Sequence, residues 1–459
     1  MRSRTGPATR TGRPSPGWRC AGPASTPPER PTDALRPAAR PRQVHDKKRL
    51  QGGSSMTSFD QVRRRVLVLA AGLAAALAGA APATAQQNPI VIGGTLGLTG
   101  AYAEPSTDYK FVYDRWVEEV NKKGGLLGRP VKMVIYNDES TPTVAQSLYN
   151  RLLDQDKVDL VIAPYTTFVG GAVVPIVMSH EKLLFNGGFV GINIFKNNKG
   201  SMIGSFTYQE PDYTRGLFEM LGELPPDQKP KRLAVFTSQN PFTVVVRAGL
   251  GGTGGVLGYA KAAGIPIVVD EQYPPTTTDF NGLVQKARAA NADMVLALGL
   301  PNDTLNIART VHQQGLKPMV FCTCGSQVTT LSAWPKLGEA AENGFGTTIA
   351  WPTQGYPGLA ELAEVFKTRG YDTLPTYAIV GYAILQVIEQ AVAGAKTLDQ
   401  AKLKEYIYAN EFKTAAGTFR YQPDGTPVFS QVLLQFQNGK NQVVWPKQAR
   451  TAPPVFAKP

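Results

Sequence analysis

Three short segments of this sequence combine hydroxyl groups, aromatic rings and small residues, which are groups that could bind a small organic molecule. The segments are LTGAYAEPS, APYTTFVGG and NGGFVG, and each follows an apolar stretch typical of a buried β-strand. Small residues let backbone N–H groups approach a guest, hydroxyls hydrogen-bond a carboxylate or a carbonyl, and rings cover an apolar body. The hydroxyls and rings that the segments supply are those of Thr99, Thr166, Thr167, Tyr102, Tyr165 and Phe189.

The charge of these segments limits the kind of ligand. None of the three contains a Lys or Arg that could neutralise a phosphate, so they favour a neutral or singly charged ligand. Each residue by itself has an ordinary explanation as part of a turn or a helix cap. The recurrence of one set of groups at three strand ends favours a binding site, because open α/β folds bind ligands at the carboxyl edge of their parallel sheet.

One glycine pattern fits the dinucleotide-binding fingerprint of an enzyme. Gly249, Gly251 and Gly254 have the GxGxxG spacing, and Asp270 follows about twenty residues later. However, the strand predicted at LAVFTSQ ends before the Asn-Pro pair at 240–241, which places TVVVRAGLGG on the following helix. No Walker loop, GxSxG or HExxH motif is present in the sequence. The sequence therefore predicts neither an enzyme nor a cofactor.

Cysteine and histidine are scarce after residue 85, where the cysteines are Cys322 and Cys324 and the histidines are His180 and His312. Cysteines two positions apart on a strand lie near the upper limit of disulfide geometry, so two buried thiols is the simpler interpretation. The histidines are far apart in sequence, and the set is too small for a metal site. The sequence predicts no bound metal.

The first 85 residues differ in composition from the rest. Residues 1–55 are rich in Pro, Arg, Gly and Ser and are predicted to be a disordered or untranslated extension. Met56 opens a stretch with three arginines, an apolar run and the small residues at 83–85, which is typical of a secretory signal peptide. We expect cleavage after Ala85 and a periplasmic location, and a membrane anchor is the competing interpretation.

The formal net charge of +13 comes mostly from this N-terminal part. Residues 1–85 hold 15 of the 48 Lys and Arg residues and 4 of the 35 Asp and Glu residues, which leaves 33 basic and 31 acidic residues, a net charge of about +2. No stripe of Lys and Arg interleaved with aromatic residues is present, so we expect no nucleic-acid partner.

The rest of the sequence alternates strand-like apolar runs with helix-length amphipathic segments, which predicts an α/β fold with parallel sheets. The pattern restarts at KRLAVFTSQ, so two Rossmann-like lobes are expected. The apolar helix PTYAIVGYAILQVIEQAVAG needs a large sheet to cover, which indicates a return to the first lobe. The expected division is 89–207 with 350–411 as lobe 1, 208–349 with 412–446 as lobe 2, and 447–459 as a loose tail.

The segment PIVIGGTLGLTGAYAEPSTDYKFVYDRWVEEVNKKGGLLGRPVKMVIYNDES resembles the first lobe of the periplasmic leucine/isoleucine/valine-binding proteins, the type I solute-binding proteins of ABC importers. YPPTTTDFNGLVQKARAANADMVL and QFQNGKNQVVWP fit the same family, so the resemblance covers nearly all of residues 89–446. It implies two lobes joined by three hinge crossings, a monomer, a small-molecule ligand in the cleft and a membrane permease as partner. A ligand-sensing receptor on the same scaffold and a dinucleotide-dependent enzyme stay open as alternatives.

The resemblance also implies which residues bind the ligand. Family members hold an α-carboxylate with a hydroxyl and backbone amides in the loops that match PYTT and NGGF, and they line the cleft with aromatic rings. The residues carried over in this way are Thr166 or Thr167, Gly187, Gly188, Tyr102, Tyr165 and Phe242, with Asn302 and Asp303 after the strand MVLALGL.

Two positions depart from the pattern of the amino-acid binders. Phe189 stands where a hydroxyl residue is usual, and Cys324 stands near the place where an acid for the ligand's ammonium group is expected. An enclosed ammonium without a carboxylate partner costs several kcal/mol. Either Asp303 or Glu104 supplies the carboxylate, or the ligand is not an α-amino acid. Branched or aromatic carboxylates, amides and ureas are the alternatives.

Overall fold

The computed structural model describes residues 88–198, 200–205, 208–323, 327–427 and 431–456. The predictions for the extension at 1–55, for the signal peptide cleaved after Ala85 and for a ligand contact from Cys324 lie outside these residues. The described part of the chain forms two α/β lobes, which confirms the fold predicted from the alternation of strands and helices.

The first lobe is built on five parallel strands in the order β2-β1-β3-β4-β5. The strands are β1 Ile90–Leu96, β2 Val131–Asn137, β3 Leu160–Ile162, β4 Leu184–Asn186 and β5 Met202–Gly204. The helices that connect them are α1 Ala103–Lys122, α2 Pro142–Asp154, α3 Thr167–Ser179 and α4 Ile192–Asn197. Because parallel strands need a crossover, the loops that follow β1, β3 and β4 leave the sheet at the same edge.

The second lobe begins with five more parallel strands: β6 Leu233–Ser238, β7 Ile267–Tyr273, β8 Met294–Leu298, β9 Val320–Cys322 and β10 Gly344–Thr348. Its helices are α5 Arg215–Gly222, α6 Pro241–Ala248, α7 Gly255–Ala263, α8 Asn281–Ala289 and α9 Pro301–Gln313. Strands β6 and β8 are buried along their whole length, as expected for a sheet that helices cover on both faces.

After β10 the chain returns to the first lobe. The elements of this return are α10 Leu359–Thr368, α11 Thr376–Ala395, α12 Gln400–Ala409, β11 Glu411–Thr414 and β12 Gly417–Arg420. The apolar helix α11 packs against α1 and contacts β4, and the Ser205 hydroxyl donates to the Val380 carbonyl at 2.9 Å. Among the described helices α11 is long and apolar enough to cross a membrane, yet most of it is buried, as expected of a core helix.

The hairpin β11–β12 packs on α11 and pairs only with itself. The Gln386 side chain accepts from the Ala415 N–H at 2.7 Å, and the Tyr421 hydroxyl donates to the Gly204 carbonyl at 2.8 Å. These contacts tie the hairpin to the first lobe. We therefore propose that the last change of lobe follows residue 421, later than the boundary at 412 expected from the sequence.

Two antiparallel strands, β13 Val432–Gln437 and β14 Lys440–Trp445, then complete the second sheet in the order β14-β13-β10-β9-β8-β6-β7. The chain thus passes between the lobes three times, after β5, after β10 and between β12 and β13. The side chains of Gln435 and Gln437 donate to the carbonyls of Val455 and Pro453 at 2.6 and 2.9 Å, so we propose that the described part of the tail, 447–456, packs on the second sheet.

The glycine fingerprint lies in a turn between two helices. The Asn240 side chain accepts from the N–H groups of Phe242 and Thr243 at 3.1 Å each and so caps α6 directly after β6. The glycines at 249–254 follow α6, which confirms that they are not the strand-end loop of a dinucleotide site.

The prediction of two free thiols is wrong for Cys322, which is buried and forms a disulfide bond. Its partner lies outside the described residues. The prediction assumed that the strand continues past Cys322, but β9 ends at this residue, so strand geometry does not set the spacing of the residues that follow.

Candidate functional site

A small cavity of about 30 Å³ lies between the two lobes, within about 350 Å³ of empty space that includes open solvent. The first lobe contributes residues from the loops after β3 and β4 and from the first turn of α11. The second lobe contributes residues from the loops around β6, β8 and β9. The described residues that line the cavity are Tyr165, Thr166, Thr167, Gly188, Phe189, Val190, Tyr213, Phe242, Leu300, Gln327 and Tyr377.

The loop after β3 presents two threonines that have different hydrogen-bond partners. Thr166 caps α3, and its hydroxyl oxygen accepts from the Phe168 N–H at 3.2 Å. The Thr167 hydroxyl donates to the Val190 carbonyl and so ties this loop to the loop after β4. Thr167 uses its proton on a backbone carbonyl, whereas the partner of the Thr166 hydroxyl is another hydroxyl, that of Tyr102, so Thr166 is the better placed of the two to hydrogen-bond a ligand.

The loop after β4 is organised by Asn186, a fully buried residue that the sequence analysis did not select. Its side-chain oxygen accepts from the N–H groups of Gly188 and Phe189 at 3.0 Å each, and its nitrogen donates to the Phe189 carbonyl at 2.9 Å. The Gly188 amide expected to hold a carboxylate is therefore bonded to Asn186. Position 188 also requires a glycine, because a Cβ there would lie 2.1 Å from the Pro164 carbonyl oxygen.

Gly187, the other glycine expected to hold a carboxylate, lies behind the cavity wall. The Tyr109 hydroxyl donates to its carbonyl at 2.7 Å. A Cβ at this position would lie 2.8 Å from the Val380 carbonyl oxygen, so the glycine allows α11 to pack closely against the loop. The structure thus gives Gly187 a packing contact rather than a place on the wall.

Aromatic rings form two clusters, one on each lobe. On the first lobe, Tyr165 packs edge-to-face against Tyr102 at 5.6 Å and Tyr377 at 5.1 Å between ring centroids. On the second lobe, Tyr213 packs edge-to-face against Tyr208 at 4.6 Å and Phe242 at 4.9 Å. Burial raises the pKa values of the tyrosine hydroxyls above 10, so these groups stay neutral hydrogen-bonding groups at physiological pH.

Gln327 is the polar side chain that the second lobe presents to the cavity. Its amide nitrogen donates to the hydroxyls of Tyr208 and Tyr213 at 3.2 and 2.9 Å, and only 2% of the residue is exposed. The sequence analysis missed Gln327, Tyr213 and Tyr377. They come from three segments that are far apart in the chain, and no motif marks any of them.

Glu104, one of the two acids expected to pair with an ammonium group, does not line the cavity. It lies in the first turn of α1. Its Oε1 accepts from the Ser332 hydroxyl and the Ala333 N–H at 3.1 Å each, so it joins the first lobe to a loop of the second.

Asp303 and its neighbour Asn302 lie in the first turn of α9. Asn302 is exposed, and neither residue lines the cavity. The Asp303 Oδ2 lies 3.4 Å from both the Leu300 N–H nitrogen and the Tyr273 hydroxyl. Burial raises the pKa of the Asp303 carboxyl to about 6, against the hydrogen bonds that lower it.

The described residues contain no group of three or more His, Cys, Asp or Glu side chains that could hold a metal ion. The arrangement can instead enclose a small molecule. It offers aromatic walls on two sides, the Thr166 hydroxyl on one lobe and the Gln327 and Tyr213 polar groups on the other.

Two α/β lobes that share three chain crossings and line one cavity with strand-end loops define a two-lobed ligand-binding protein. Residues 89–441 match the family described as periplasmic binding protein, and the chain belongs to this family. It is similar to the Leu/Ile/Val-binding protein homolog 7 of Brucella suis biovar 1, with 26% identity over 402 residues that cover 83% of this chain and 97% of the relative.

Solved structures agree with this fold. One is LivJ of Streptococcus pneumoniae, a branched-chain amino acid transporter substrate-binding protein in complex with isoleucine, with a TM-score of 0.66, 19% identity and coverage of 78% of this chain and 100% of that one. Another is an ABC transporter solute-binding protein of R. palustris in complex with benzoate, with a TM-score of 0.66, 18% identity and coverage of 80% and 98%. The resemblance to solute-binding proteins noted from the sequence is confirmed.

Proposed function

We propose that this chain is the solute-binding component of an ABC importer. It captures a small solute in the cavity between its lobes and delivers it to a membrane permease, without making or breaking a bond. The observation that carries the proposal is a cavity whose wall is divided between the two lobes in a member of the periplasmic binding protein family. Export through the signal peptide at 56–85 is part of the proposal.

The protein can capture a solute because each lobe contributes part of the cavity wall. A solute that touches Thr166 and Tyr165 on one lobe and Phe242 on the other makes its full set of contacts only when the lobes are shut. The closed form therefore binds the solute more tightly than the open form, and binding shifts the population toward closure. The two hydrogen bonds that Glu104 accepts from Ser332 and Ala333 add a contact between the lobes outside the cavity.

The expected site residues take different roles in this proposal. Tyr165, Thr166, Gly188, Phe189 and Phe242 contact the solute directly. Thr167 lines the cavity and ties two loops of the wall together. The predicted residues that support the wall or the closed state from behind are Tyr102, Glu104, Gly187 and Asp303, and the exposed Asn302 has no role in this proposal.

A thermal-shift screen tests the proposal. The chain from residue 86 is screened against branched-chain amino acids, amides, ureas and aromatic carboxylates, and a ligand at 100 times its Kd adds about 2.7 kcal/mol of stability and raises Tm. Any compound that raises Tm is then tested on Thr166→Ala and Tyr165→Ala, which we expect to weaken binding at least about tenfold. Thr143→Ala, an exposed threonine in the first turn of α2, is the matched control. Binding that both cavity variants leave unchanged would place the solute elsewhere.

A further inference from the structure

The described residues that line the cavity include no charged side chain. The neighbouring segments that the structure does not describe, FT at 206–207 and CGS at 324–326, are also uncharged in sequence. A solute enclosed here therefore exchanges its hydration for hydroxyls, amides and rings. This exchange costs little for an uncharged group but several kcal/mol for a charge that finds no partner.

Three acids on the segments around this wall are already bonded to other groups. Glu210 is 2% exposed, and its Oε2 accepts from the Ile192 N–H at 2.8 Å. Asp303 lies against Leu300 and Tyr273, as described above, and Glu104 bridges the lobes. None of these three lines the cavity, so an α-ammonium group would have no carboxylate beside it from the described residues.

The aromatic rings could in principle bind a cation through their faces. In the pairs that Tyr165 makes with Tyr102 and Tyr377, however, the planes cross at 88° and 73°. The pairs of Tyr213 with Tyr208 and Phe242 both cross at 78°. In an edge-to-face pair the edge of one ring covers one face of the other. Each of these pairs therefore leaves one ring face fewer to form a cage around a cation.

The same wall offers hydrogen-bond donors that suit a carboxylate or a carboxamide. The hydroxyl of Tyr213, which accepts from Gln327, has a proton to give, and the Thr166 hydroxyl can turn its proton from the neighbouring Tyr102 oxygen to a ligand. Hydrogen bonds from neutral donors stabilise an anion when two or three converge on it, without a basic side chain.

We propose that the cavity selects a small solute with an apolar or aromatic body, one carboxylate or carboxamide group and no ammonium group, and that Gln327 determines this selection. Gln327 has the shape of a glutamate but no charge, and it stands where two tyrosine hydroxyls would support a carboxylate. The inference rests on the proposed function, since it names the solute class for the same cavity.

Pairs of compounds that differ only by the amine test this selection. Isothermal titration of the purified protein compares leucine with 4-methylpentanoate and phenylalanine with 3-phenylpropanoate. We expect the acid without the amine to bind at least about 30-fold more tightly in the pair that binds, which corresponds to about 2 kcal/mol. Leucine or phenylalanine binding as well as its partner would overturn the inference and leave the proposed function standing.

Choline and 4-methylpentanamide extend the series. Binding of the amide supports the inference, whereas binding of choline would overturn it, because the rings would then be acting as a cation cage. If no compound of the whole series binds, the inference is overturned, and the proposed function is judged separately by the thermal-shift screen.

The variant Gln327→Glu provides a second test that depends on the residue itself. We expect it to lose affinity for 4-methylpentanoate and to gain at least about tenfold for leucine, because the new carboxylate repels an anion and pairs with an ammonium. Gln313→Glu makes the same charge change at an exposed position of α9 and should alter neither affinity. An unchanged ratio of the two affinities in Gln327→Glu would show that this residue does not set the selection. A thermal melt of the unliganded variant confirms that it is folded.

Discussion

Asp108 gives the sharpest prediction for the stability of the first lobe. This residue of α1 is fully buried, its Oδ1 accepts from the Tyr371 hydroxyl at 2.8 Å, and its Oδ2 has no hydrogen-bond partner. Burial raises the pKa of its carboxyl from an ordinary 3.8 to about 7, against the Tyr371 bond and the Arg369 charge that lower it. We predict that Asp108→Asn makes the stability of the protein depend less on pH.

The sign and the size follow from proton linkage. The folded protein binds the Asp108 proton more tightly than the unfolded chain does, so this group's contribution to stability falls as the pH rises from about 4 to about 7. Relative to a carboxyl that is protonated in both states, the raised pKa of Asp108 lowers the unfolding free energy by about 2 kcal/mol at pH 5 and about 4 kcal/mol at pH 8. Asparagine keeps the acceptor for Tyr371 and carries no charge, but its NH₂ group has no partner and costs about 1–3 kcal/mol at every pH.

The expected result is that the difference in unfolding free energy between the variant and the wild type changes with pH. From pH 5 to pH 8, the unfolding free energy of Asp108→Asn minus that of the wild type should rise by about 2–3 kcal/mol. Urea unfolding of both proteins at each pH measures it. Other carboxyls with raised pKa values, such as Glu210 and Asp303, occur in both proteins and cancel in the difference.

Asp114→Asn is the matched control, since Asp114 lies on the same helix but is exposed and paired with Lys110. We expect its effect to stay within about 0.5 kcal/mol at both pH values. The reasoning is refuted if the Asp108→Asn difference has the same value at pH 5 and pH 8, because the buried carboxyl would then not be titrating in this range.

Two further predictions concern the closed state and the packing of the site. Glu104→Gln should raise the Kd of every bound solute by a similar factor of about 3–10, because the weakened contact between the lobes speeds dissociation. Glu118→Gln, on the exposed face of the same helix, should leave the Kd unchanged. Stopped-flow fluorescence measures the dissociation rates, and a change in solute preference would contradict this role of Glu104. Gly188→Ala should lower the unfolding free energy by about 3 kcal/mol, because its Cβ would meet the Pro164 carbonyl, whereas Gly222→Ala has open space and should be near neutral in the same urea experiment.

Much of the architecture could be predicted from local patterns. Buried parallel strands are short apolar runs, and the helices between them carry polar outer faces, so the alternation of the two is visible without any tertiary information. The dinucleotide fingerprint could be rejected for the same reason, since Asn240 and Pro241 are a helix start in sequence and in space. Local patterns do not decide where β11, β12 and the described part of the tail pack, because whether such a segment packs on one lobe or the other depends on distant surfaces.

Some residues of the candidate site could likewise be predicted from local patterns, and others could not. Tyr165, Thr166 and Phe189 could be selected because they follow strands of one sheet, and strand ends of a parallel sheet meet at one edge. The opposite wall could not, because Tyr213 and Gln327 come from loops of the other lobe and meet the first lobe only after the chain has crossed between them.

The sequence by itself determined two α/β lobes and one wall of the cavity, since strand order and helix periodicity are properties of neighbouring residues. Only the tertiary structure decided that Asn186 takes the amides expected for the ligand, that Glu104 bridges the lobes, and that the described residues of the wall carry no charge. These features depend on which polar groups lie within about 3 Å of each other, and hydrogen bonds of that length between distant segments exist only once the chain is folded.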